Sequence, residues 1–129
     1  MSNAEAAVAQ VMLDLPEDLA MPEGLSERAA QAWNVIVQFL AENGLTHTGG
    51  RKAFVNPSEW TGYSEESLLL VFHEGSDVGQ AFSLDYCYER RGSGASCYAK
   101  LEAMAEKLRR IGLFTELASR CYSAVYEIR

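Results

Sequence analysis

Cys97, Leu101, Met104, Leu108 and Ile111 recur at spacings of four, three, four and three residues, the repeat that keeps one face of an α-helix apolar. A stripe of that length must be buried, so the chain has to supply a second layer for it. Lys107, Arg109 and Arg110 crowd the last turn, where cations complement the helix dipole, and Gly112 stands where a left-handed C-terminal cap belongs. A second stripe repeats the logic. Ser26 is a good N-cap preceded by Leu25, Ala29, Trp33, Ile36, Val37 and Leu40 follow at helical spacing, and Gly44 closes the run. The spacing predicts helices over 26–43 and from about Cys97 to Ile111.

The facing layer is read from strand signals. Ser67–His73 and Gln80–Tyr88 are the strongest pair, separated by a turn-forming stretch containing Gly75, Asp77 and Gly79. Opposing Phe72 with Phe82, Leu70 with Leu84 and Leu68 with Tyr86 puts all six on one face. The two helices are expected there, with Leu69, Val71 and His73 on the other side. Lys52–Val55 reads as a short edge strand stopped by Asn56-Pro57. The alternation of Tyr122, Ala124, Tyr126 and Ile128 predicts a final strand, and Leu113–Leu117 reads as another before it. The expected fold class is α+β: a two-layer sandwich with an antiparallel sheet of three to five strands and two main helices on one face, in the order α-β-β-β-α-β(β). Residues 1–24 read as an N-terminal arm, with a short helix over 4–13 and an acidic linker containing Pro16 and Pro22; residues 25–129 read as a single domain.

Composition supports a globular chain. Of 129 residues, 48% are hydrophobic and 22% charged, a balance that excludes disorder for most of the length. The longest apolar run, Leu68 to Phe72, falls far short of the roughly 20 residues that span a bilayer. Net charge is −7, and residues 1–30 carry six acids against Arg28 alone. That field opposes nucleic acid and anionic membranes and favours a basic protein surface. Cys87, Cys97 and Cys121 form an odd set without C-x-x-C spacing, so three free thiols in a reducing cytoplasm are expected. No base precedes Arg28, which argues against a secretory leader.

Few constellations carry chemistry. His73 beside Glu74 and Asp77 reads as a strand-end imidazole over a solvated acidic turn, with no matched set of metal ligands. Arg90 and Arg91, next to Gly92-Ser93-Gly94, make a weak candidate anion site where a helix-entry turn capped by Ser93 or Ser96 accounts for the same residues. Trp60 and Tyr63 carry more weight: they sit in a loop with Glu65 and Glu66, and exposed aromatics are enriched where interfaces are tightest. The expectation is a small acidic, non-enzymatic binding protein of the inhibitor or immunity type, needing no cofactor or metal. Trp60, Tyr63, Glu65, Glu66, Glu74 and Asp77 would occlude a basic surface of a protein partner, and direct nucleic-acid or membrane binding is not expected. The alternatives are a homo-oligomeric structural or adaptor protein, with a homodimer built through the sheet face bearing Leu69 and Val71 or through the final strand, and a small-molecule- or anion-binding enzyme using Arg90, Arg91, His73 and Cys87.

Overall fold

The computed structural model describes residues 15–60, 66–84 and 94–128. Within them the chain forms α1 (Glu27–Glu42), β1 (Phe54–Val55), β2 (Leu69–Phe72), α2 (Gly79–Phe82), α3 (Gly94–Arg110), β3 (Leu113–Leu117) and β4 (Tyr122–Glu127). The four strands make one antiparallel sheet in the order β1-β2-β4-β3, so the fold is α+β.

Local sequence sets both long helices. The Ser26 hydroxyl accepts from the Ala29 N–H at 3.1 Å and starts α1. Gly44 and Gly112 follow α1 and α3 with φ of +67° and +78°, the left-handed geometry expected there. The Arg28 guanidinium on α1 donates to the Ile111 carbonyl just past α3, tying the two helices together at that end. α3 begins at Gly94, which puts Ser96 inside the helix rather than at its cap.

The expected hairpin between Ser67–His73 and Gln80–Tyr88 is not formed. Both sides of β2 are taken instead: Leu70 pairs with Val55 of β1, and Leu69 pairs with Val125 of β4. Residues 79–82 are a helical turn, entered by the Ser76 hydroxyl accepting from Val78 N–H at 3.0 Å and by short-range bonds from Gly79, Gln80 and Ala81. The physical reason lies in spacing. Val78, Ala81 and Phe82 are buried together at i, i+3 and i+4, a helical repeat that outcompetes the alternation read there. Tyr86 lies outside the described residues.

The faces of the sheet are consequently exchanged. Leu69 and Val71, placed outside by the hairpin register, join Phe54 and Val125 in the core with Ile36, Leu40, Met104 and Leu108 of the helices. Leu70, Phe72, Tyr122 and Ala124 point to the opposite side by strand alternation. The described part of the arm also belongs to this core. Leu19 is fully buried at the end of a single 3-10 turn, Glu17–Leu19. Its carbonyl accepts from the Trp33 indole at 3.0 Å, while Ala53 N–H donates to Asp18 O at 2.8 Å. The helix read over 4–13 lies outside the described residues.

Candidate functional site

Trp60 and Glu66 come together. They line one groove of about 630 Å³ with Leu25 and Ser26 at the start of α1, Asn56 to Ser58, and Ser67 and Leu68 ahead of β2. Its wall is rigid for local reasons. Asn56 caps the Pro57–Glu59 turn by accepting from Ser58 N–H at 3.1 Å, and its amide donates to Glu23 O at 3.2 Å. Trp60 ends that turn. Its ring stands edge-on against Phe72 and Tyr122, with centroids 5.0 and 5.9 Å away, and those two rings stack at 4.8 Å. The indole is therefore held in place while 41% of Trp60 stays exposed. A fixed aromatic ring that lines the same groove as an acidic residue suits a cationic side chain, which gains from the ring quadrupole and from the charge. Tyr63 and Glu65 lie outside the described residues.

Glu74 and Asp77 belong to a different place, the turns beyond the other end of β2. Glu74 is exposed, 3.7 Å from Arg51, and its carboxylate accepts from the Cys121 thiol at 2.9 Å. Asp77 is half-buried and its N–H donates to His47 O at 2.9 Å. The two turns touch closely: a Cβ on Gly49 would sit 2.6 Å from the Gly75 carbonyl oxygen, so only glycine fits there. Hydrogen bonding to Glu74, reinforced by burial and the carboxylate charge, pushes the Cys121 thiol up, away from the nucleophilic thiolate.

His73 is 2% exposed, its Nε2 3.0 Å from the Ser123 hydroxyl and its ring parallel to Phe82. Burial drives its pKa down to about 4, with Glu74 opposing only in part. A neutral imidazole held between β2, β4 and α2 is a packed core group among the described residues. Its partner is Ser123, fifty residues away. Nothing local in the sequence signals that pairing.

Three further expectations meet the structure here. Leu69 and Val71 are fully buried, so they offer no dimer face, and β4 lies inside the sheet between β2 and β3, so the final strand has no free edge. Cys97 is disulfide-bonded and Cys121 carries a free thiol, which corrects the reading of three free thiols. Arg90, Arg91 and Cys87 also lie outside the described residues. Among the described residues no group of three or more His, Cys, Asp or Glu side chains converges to hold a metal, and no helix is long and apolar enough to cross a membrane. No family model, curated protein or solved structure matches this chain.

Proposed function

We propose that the protein is a non-enzymatic binding protein that docks on a basic surface of a partner protein and occludes it. The observation that carries this reading is the groove in which exposed Trp60 and Glu66 lie together on a braced wall. Trp60 acts as the anchor against an arginine or lysine of the partner, and Glu66 supplies the opposing charge. The net charge of −7 steers approach from a distance. Glu74 and Asp77, on the turns beyond the other end of β2, contribute to that field rather than to the anchor.

The test is capture of the partner from host lysate with tagged wild-type protein, Trp60→Ala and Glu66→Lys. The reading expects a basic protein that is retained at low salt, released as salt rises, and lost with either substitution. Capture indifferent to salt and to both substitutions contradicts it.

A further inference from the structure

The ladder between β3 and β4 fixes which backbone groups of β3 are used. Ile128 N–H donates to Gly112 O at 2.8 Å, and Ala118 N–H donates to Tyr122 O at 3.1 Å. With Phe114 opposite Tyr126 and Glu116 opposite Ala124, antiparallel geometry turns the N–H and C=O of 112, 114, 116 and 118 toward β4. The same groups of Leu113, Thr115 and Leu117 then point away from the sheet. Leu113 is buried, but Thr115 is half-exposed and Leu117 is 44% exposed. Among the described residues β3 is the last strand of the sheet. Phe114, 43% exposed and stacked on Tyr126 at 5.5 Å, flanks this edge on the outer face.

We infer that the β3 edge receives an extended, basic segment of a partner protein as a fifth strand. Charge decides the occupant. The self-pairing that satisfies both open residues sets Thr115 against Leu117 of a second copy, which brings Glu116 directly opposite its own equivalent. Like charges directly opposite are unfavourable, and two chains of −7 already repel. A heterologous strand with a lysine or arginine opposite Glu116 removes that conflict, and main-chain bonds to Thr115 and Leu117 supply the rest. Run antiparallel to β3, it reads from its N-terminus as an aliphatic residue opposite Leu117, a base opposite Glu116, any residue opposite Thr115, and an aromatic or aliphatic residue opposite Phe114. The choice of a basic occupant rests on the function proposed above, while the edge itself is a second surface, separate from the groove.

The probe is the fluorescein-labelled peptide Thr-Val-Lys-Val-Phe-Thr, titrated into the full chain and followed by anisotropy. Leu117→Pro removes an outward N–H without touching the β4 ladder and is expected to weaken binding roughly tenfold, the scale of one lost hydrogen bond. Glu116→Lys, a surface change that leaves the fold intact, weakens it similarly, and replacing the peptide lysine by glutamate restores affinity to that variant. Trp60→Ala leaves the affinity unchanged. No binding, or binding insensitive to both β3 substitutions, overturns the inference; if Trp60→Ala abolishes it instead, the groove reading survives and the edge reading falls. A concentration-dependent dimer that is lost in Leu117→Pro also overturns it, in favour of a second copy.

Discussion

The two edges of the sheet are built differently. β1 is two residues long, and the preceding arm closes it: Asp18 O accepts from Ala53 N–H, Thr48 donates to the Asp18 carboxylate at 3.0 Å, and Leu19 seals the core below. β3 is five residues long and carries Phe114 and Leu117 exposed, with Glu116 between Thr115 and Leu117. Edge strands tend to be shortened, covered or charged against unwanted pairing. Here the first edge is short and covered, and the second has only a single charge. The difference teaches where stability resides and where association is possible.

Breaking the closed edge should cost most. Leu19→Ala leaves a cavity under β1, and denaturant unfolding should show a loss of roughly 2–5 kcal/mol, the range for a buried leucine. A loss below about 0.5 kcal/mol, the scale of an ordinary surface substitution, would mean that the arm is not part of the core.

Acid should act on the packing between β2, β4 and α2 through His73. Its imidazole titrates near 4 when folded, against an ordinary 6.5, so the unfolded chain takes up the proton first as pH falls. Stability present above pH 6.5 is then lost progressively between 6.5 and 4, by about 3 kcal/mol for a shift of this size. Chemical unfolding across that window checks it, and His73→Gln should flatten this part of the curve. Wild-type stability that stays level there contradicts the sealed environment.

Trp33→Phe keeps the ring over Phe54 but removes the bond to Leu19 O. A loss of about 1 kcal/mol is expected in the same unfolding measurement. On the open edge, Leu117→Thr should change stability by no more than about 0.5 kcal/mol, since that side chain lies outside the packed core. A larger loss would show the edge to be covered in solution.

What the sequence disclosed follows the range of each interaction. Ser26, Gly44 and Gly112 act within one turn of the helix ends they set, so both long helices were legible to within a few residues. β2 was recognisable as a strand, but Leu69, Leu70 and Val71 are all buried, and a strand apolar on both faces does not tell which face meets the helices. The helical turn at Gly79–Phe82 removed the partner on which that assignment rested. Trp60 and Glu66 were legible as an aromatic next to acids in a loop; the groove around them depends on Leu25, Ser26 and Asn56, which approach only after folding. Leu19 lies in an acidic, proline-flanked stretch, and its local composition signals a linker although its side chain is core.

The contrast between the two edges is tested most directly by residue-resolved amide hydrogen exchange on the free chain. Alternation along β3 is predicted: Phe114 and Glu116 N–H slow, Thr115 and Leu117 N–H faster by about a hundredfold, and Ala53 N–H at the other edge slow. Uniform protection along β3, or an Ala53 amide that exchanges as freely as Thr115, contradicts the picture of one closed edge and one open edge.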